Sequence, residues 1–241
     1  MEINNLIRKN IKNLQPYSCA RDEYSGERAV FLDANENPYD TGYNRYPDPY
    51  QRELKARLAQ IKGVAAENMM LGNGSDEIID ILIRSVCEPA EDNIIVFSPG
   101  YSMYEVSAAI NNVEVRKIDL TSEFLPDWAE MWKQADAHTK IVFLCTPNNP
   151  TGKVIPIGQI REVCRNFGGL VLVDEAYIDF TDEMSAVKLL DEFSNVVVLQ
   201  TLSKAWGMAG LRLGICFADR ELIRVLNKVK APYNISNLTQ Q

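Results

Sequence analysis

Val196-Val197-Val198-Leu199-Gln200-Thr201-Leu202-Ser203-Lys204 is an apolar, mostly β-branched run that turns polar at its end. Four apolar residues in succession leave no polar face. Residues 196–199 therefore read as a strand buried on both sides, as in a parallel sheet covered by helices. Open α/β sheets place their ligands outside the carboxyl ends of the strands. Lys204 lies just past such an end, beside Ser203, and Arg212 follows within Gly210-Leu211-Arg212-Leu213-Gly214. A lysine becomes a nucleophile when its amine forms a Schiff base with a carbonyl group. Taken alone, a loop lysine is more simply a solvated charge, so its neighbours decide.

Three further units have the same form. Ile94-Ile95-Val96-Phe97 runs into Ser98-Pro99-Gly100-Tyr101-Ser102-Met103-Tyr104. Ile141-Val142-Phe143-Leu144 runs into Thr146-Pro147-Asn148-Asn149-Pro150-Thr151-Gly152. Leu170-Val171-Leu172-Val173 runs into Asp174-Glu175-Ala176-Tyr177. Helical spacing of apolar residues falls between them, near 103–110, 128–135, 157–167 and 185–193. Residues 113–118 and 212–218 add strands, and 219–230 a helix. Upstream, 50–62 reads as a helix ended by Gly63. Met69-Met70-Leu71 leads through Gly72-Asn73-Gly74-Ser75-Asp76-Glu77 into a helix marked by Ile79, Leu82, Ile83 and Val86. Residues 31–39 read as a short strand entering a turn, and an N-terminal helix is expected across residues 3–14. The fold class is α/β, a mainly parallel sheet with helices on both faces. Tyr101, Asn149, Asp174, Tyr177 and Lys204 all follow strand ends, so one crevice can gather them.

Composition narrows the function. The 241 residues are 46% hydrophobic and 24% charged, with a net charge of −8. That sign disfavours a nucleic-acid groove. Five cysteines (Cys19, Cys87, Cys145, Cys164, Cys216) include no C-x-x-C pair and read as free thiols in a reducing compartment. No apolar run is long enough for a membrane span, and Met1-Glu2-Ile3-Asn4-Asn5 lacks the core of a signal peptide, so a cytoplasmic location is expected. The single histidine, His138, cannot make a multi-histidine metal site, and in the polar segment 135–140 it reads as a surface loop residue in place of a member of a Ser/His triad. No metal is expected.

A pyridoxal phosphate carried by Lys204 would set a list of demands. Its ring nitrogen needs an acid, which Asp174 at a strand end supplies. Its ring hydroxyl needs donors, supplied by Asn149 and Tyr177. Tyr101 is placed to stack on the ring. The phosphate needs amides and a cation: Gly74, Ser75 and Asp76 at a helix start, the Ser203 hydroxyl, and Arg212. Each residue also has a plainer use: Asp174 as a helix cap, Asn149 in a turn, the tyrosines as half-buried core.

The motifs Asn148-Asn149-Pro150-Thr151-Gly152, Asp174-Glu175-Ala176-Tyr177 and Ser203-Lys204-Ala205-Trp206-Gly207-Met208-Ala209-Gly210-Leu211-Arg212-Leu213-Gly214 resemble the fold type I pyridoxal-phosphate aminotransferases. Leu32-Asp33-Ala34-Asn35-Glu36-Asn37-Pro38, Arg45-Tyr46-Pro47-Asp48-Pro49, Gly72-Asn73-Gly74-Ser75-Asp76-Glu77, Tyr101-Ser102-Met103-Tyr104 and Pro232-Tyr233-Asn234 narrow the resemblance to the histidinol-phosphate aminotransferases. It runs from about Tyr17 to the last residue. It implies a homodimer that exchanges an amino group between L-histidinol phosphate and 2-oxoglutarate in histidine biosynthesis. Lys204, Asp174 and Tyr177 would be catalytic. Tyr46 would reach the cofactor phosphate of the other subunit, and Asn35 would lie near the substrate. It also implies that residues 1–30 form an arm contributing to a small domain, and that 31–241 form the cofactor-binding large domain. Family members continue into a C-terminal small domain with substrate-binding arginines, which this sequence is expected to lack. Two alternatives share the fold: an aromatic amino-acid aminotransferase and a phosphothreonine decarboxylase-like enzyme. A third is a non-catalytic remnant that binds the cofactor.

Overall fold

Strands that are apolar on both faces need cover on both faces, and the computed structural model supplies it. It describes residues 2–18, 24 and 30–241. Seven strands form one sheet: β1 (Met69–Asn73), β2 (Asn93–Ser98), β3 (Glu114–Asp119), β4 (Thr139–Cys145), β5 (Leu170–Asp174), β6 (Val196–Thr201) and β7 (Leu213–Ala218). Their order across the sheet is β1-β7-β6-β5-β4-β2-β3. The pairs among β2 to β6 are parallel. β7 is antiparallel to both β6 and β1, so it alone runs against the rest.

The helices are α1 (Lys9–Lys12), α2 (Arg52–Lys62), α3 (Ser75–Val86), α4 (Met103–Ile110), α5 (Trp128–Gln134), α6 (Ile157–Asn166), α7 (Arg220–Val229) and α8 (Asn237–Gln240). Alternate residues of one strand enter different cores, as the period of two requires. Val197 and Leu199 join α3, α4 and α7 on one face. Val196 and Val198 join Leu58 of α2, Met131 of α5 and Ile160 of α6 on the other. The N-terminal side chains Ile3, Leu6, Ile7 and Ile11 belong to the first core. Arg8 adds a hydrogen bond of 2.9 Å to the Arg84 carbonyl at the end of α3. Gly63 ends α2 in the left-handed region at φ +66°, where a side chain would be strained.

Three expectations change. Residues 31–39 contain no strand, and Leu32 is 81% exposed, so nothing there buries an extended segment. The N-terminal helix shortens to α1, preceded by a 3₁₀ turn over Ile3–Asn5. The helix expected near 185–193 is a 3₁₀ segment over Ala186–Asp191. Its start is tied to Glu175: the Ser185 hydroxyl and the Ala186 amide each donate to one carboxylate oxygen at 2.6 Å. Gln200 donates to the same carboxylate at 2.9 Å. Burial raises the Glu175 carboxyl above its ordinary range, and these donors offset part of that rise. The cysteine at 19 lies outside the described residues. Cys87, Cys164 and Cys216 are buried free thiols.

Candidate active site

The strand ends open on a cavity of about 230 Å³. One end of it is built where β1 turns into α3. Gly74 adopts φ +82° as the residue before the helix, leaving the first amides of α3 aimed outward. Arg212 closes on this turn from β7. A Cβ on Gly74 would lie 2.6 Å from Arg212 Nη2, so glycine is what lets the guanidinium approach. A Cβ on Gly214 would fall on the backbone of Gly74 and Ser75, so β7 can lie against the turn only with glycine there. Arg212 is itself left-handed, at φ +54°. Ser203 joins this end; its amide donates to the Thr201 hydroxyl at 3.1 Å, and that hydroxyl reaches the Leu213 carbonyl at 3.1 Å.

Asp76 has a different part from a direct anion ligand. Its carboxylate accepts the Tyr101 hydroxyl at 2.9 Å and lies 4.0 Å from Arg212 Nη2. What it offers an anion is its backbone amide in the first turn of α3. Burial, then the Asp76 bond, raises the Tyr101 hydroxyl well above its ordinary value, so it remains a donor.

Asp174, the last residue of β5, forms the middle of the cavity and is 3% exposed. Its two oxygens have separate donors: the Tyr104 hydroxyl at 2.6 Å and the Ala176 amide at 3.0 Å. Burial raises its carboxyl above the ordinary range, while Tyr104, Ala176 and the charge of Lys204 oppose the rise. Beside it, Cys145 is a cavity wall whose thiol burial pushes up to about 12, which leaves it unreactive.

Lys204, Tyr177 and Asn149 complete the cavity. Lys204 Nζ lies 5.6 Å from the centre of the Tyr177 ring. Asn149 and Tyr177 also line an adjoining, more open hollow of about 440 Å³ that includes Phe180. The sequence motifs thus place Gly74, Ser75, Asp76, Tyr101, Asn149, Asp174, Tyr177, Ser203, Lys204 and Arg212 around one space.

Tyr46 and Asn35 are not brought to it. They line a separate hollow of about 580 Å³. There Tyr46 stacks on Tyr233 at 4.5 Å, and its amide donates to Glu36 at 2.7 Å. Sequence reasoning also left Tyr104, Thr201 and Cys145 without roles. Only Tyr104 carried a usable signal, since it belongs to the Tyr101-Ser102-Met103-Tyr104 stretch that follows β2. No cluster of three or more His, Cys, Asp or Glu among the described residues could hold a metal ion.

Comparison with known proteins bears on this geometry. Residues 23–241 match the family described as aminotransferase class I and II. A histidinol-phosphate aminotransferase of Parabacteroides distasonis is 54% identical over 240 residues, covering 100% of this chain and 70% of that relative. One from Cytophaga hutchinsonii is 52% identical over 243 residues, covering 99% of this chain and 70% of that relative. A crystal structure of histidinol-phosphate aminotransferase from Sinorhizobium meliloti, in complex with pyridoxal-5′-phosphate, aligns with a TM-score of 0.72 at 24% identity. It covers 81% of this chain and 54% of that one, and the likeness shows the fold.

Proposed function

The chain belongs to the class I and II aminotransferases, and from that premise we propose that it binds pyridoxal 5′-phosphate and exchanges an amino group between L-histidinol phosphate and 2-oxoglutarate. The products are imidazole acetol phosphate and glutamate. Relatives at 54% and 52% identity that bear the histidinol-phosphate aminotransferase name support the substrate. The observation that carries the reading is the cavity itself. A lysine, a buried carboxylate, an amide and a phenol, and an arginine facing a helix start all open on one space.

The donor set fits the cofactor. Arg212, the Ser203 hydroxyl and the amides that begin α3 suit a phosphate dianion. Gly74, at φ +82°, leaves the Arg212 guanidinium close against the turn that starts α3. Asp174 suits a protonated ring nitrogen, and Asn149 and Tyr177 suit the ring oxygen. When bound, the cofactor supplies an aldehyde for the amino group and a ring that withdraws charge from the reacting carbon. Lys204 holds the aldehyde and then moves the proton at the reacting carbon with its free amine. Asp174 keeps the proton on the ring nitrogen by its charge. Tyr101 covers one face of the ring while Asp76 fixes its hydroxyl.

Residues 31–241 serve as the cofactor-binding large domain of this enzyme. The working unit is a homodimer in which Tyr46 reaches the phosphate site of the other subunit. Its 50% exposure, and its place in a hollow separate from the cavity of its own chain, support that use. Hybrid dimers of Tyr46→Phe with Lys204→Ala are expected to recover tighter cofactor binding in the intact site than Tyr46→Phe homodimers. Equal affinity in the two would remove the cross-subunit role. Among the described residues no helix is long and apolar enough to cross a membrane, and the buried free thiols support a cytoplasmic setting.

The test of the activity is a product measurement. The protein is loaded with pyridoxal phosphate and mixed with L-histidinol phosphate without 2-oxoglutarate. The expected result is one imidazole acetol phosphate per site, with continued formation once 2-oxoglutarate is added. A loaded protein that forms no product would limit the chain to cofactor binding.

A further inference from the structure

Tyr104 carries a polar group into a place where a phenylalanine would pack as well. It is 3% exposed. Its ring stacks on Phe143 of β4 at 4.6 Å and meets Tyr101 edge-on at 5.5 Å. These contacts leave the ring one orientation, and in that orientation the hydroxyl donates to Asp174 Oδ2 at 2.6 Å. The bond spans 70 positions of sequence and joins α4 to the end of β5.

We propose that Tyr104 is a positioning residue whose hydroxyl holds the Asp174 carboxylate ionised and correctly turned for the ring nitrogen of the cofactor. The inference rests on the reading of Asp174 as the partner of that nitrogen. A buried carboxylate with too few donors takes up a proton and stops acting as an acceptor. Asp174 has a donor on each oxygen, yet it still lines the cavity. The Ala176 donor is backbone and comes with the turn. The Tyr104 donor is a side chain and is the one that sequence can change. Burial and the Asp174 charge hold the Tyr104 hydroxyl well above its ordinary value, so it stays a donor beside a carboxylate. The same ring meets that of Tyr101, which precedes the N-cap of α4, so the ring-covering tyrosine and the ring-nitrogen acid are linked through one side chain.

The test separates the ring nitrogen from the rest of the ligand. One probe is 4′-deoxypyridoxine 5′-phosphate, which has no aldehyde and cannot bond Lys204. The second is the same molecule with carbon in place of the ring nitrogen. Tyr104→Phe, which keeps the stack on Phe143, is expected to weaken the first probe about tenfold and to leave the second nearly unchanged. The near-ultraviolet band of the bound first probe should shift toward that of the unprotonated ring. Equal weakening of both probes, or of neither, would overturn the proposal. Asp174→Asn is measured alongside. If it removes the preference for the nitrogen-bearing probe while Tyr104→Phe retains it, the role of Tyr104 fails alone. If Asp174→Asn retains the preference as well, the reading of Asp174 fails.

Discussion

Lys204→Ala is expected to abolish covalent attachment of pyridoxal phosphate: borohydride reduction followed by intact-mass measurement finds no adduct at the active site. The expectation follows from the cavity, where Lys204 is the lysine among the lining residues. The change leaves the Arg212 and Ser203 side chains and the amides at the start of α3 in place. Non-covalent binding therefore persists while covalent binding disappears. Turnover falls by at least about 10²–10⁴-fold, the share that a positioned acid–base group contributes, even if an added amine takes over the exchange. A reducible adduct of undiminished yield in the variant would end the assignment of Lys204.

Asp174→Asn is expected to divide activity from stability. Turnover should fall by about a thousandfold or more, because a neutral amide no longer keeps the ring nitrogen protonated and charge no longer drains from the reacting carbon. The folded protein without cofactor should be no less stable. Asparagine can accept from the Ala176 amide and donate to the Tyr104 hydroxyl oxygen, replacing both native bonds. It also removes a buried charge. The sign of the pH effect follows from the raised folded-state carboxyl. The folded chain holds this proton more tightly than the unfolded chain, so the Asp174 contribution favours folding at low pH. It is lost as pH rises from the ordinary carboxylate value through the raised one. The variant lacks that component. Denaturant titrations across this window, with kcat measured in parallel, check both halves. Near-normal kcat would show that Asp174 does not face the ring nitrogen.

The four strands β2, β4, β5 and β6 were legible because the runs at 94–97, 141–144, 170–173 and 196–199 have no polar face, and a sheet covered on both sides buries such runs. Their loaded ends were legible for the same reason: a parallel sheet gathers its strand ends on one side. The reversal of β7 was not legible. Leu213-Gly214-Ile215-Cys216-Phe217-Ala218 looks like any other buried strand, and periodicity carries no direction. Residues 31–32 have strand composition but no neighbour to pair with in the described chain, and Leu32 stays exposed. The 3₁₀ form at Ala186–Asp191 depends on Glu175, which lies outside the local window that helix spacing examines. Tyr104 was visible as a residue, while its partner Asp174 was 70 positions away. Asp76 could be placed at the helix start, but the direction of its carboxylate, toward Tyr101 and Arg212, is a tertiary fact.

β1 sits at one end of the sheet and pairs with β7 alone. Asn73 and Leu213, partners beside the proposed phosphate site, stand roughly 140 residues apart in sequence. A loop of that length costs entropy to close and slows the search for the native pairing. That site therefore exists only after the most distant closure in the sheet has been made. A ligand gripped at once by the Ser75 amide and by Arg212 fastens both ends of that loop. Its binding free energy then acts against opening of the whole sheet, as well as against fraying of one edge. With the proposed site occupied, the cofactor is a clasp on that distant pairing, and an enzyme short of it is expected to lose folding cooperativity along with activity.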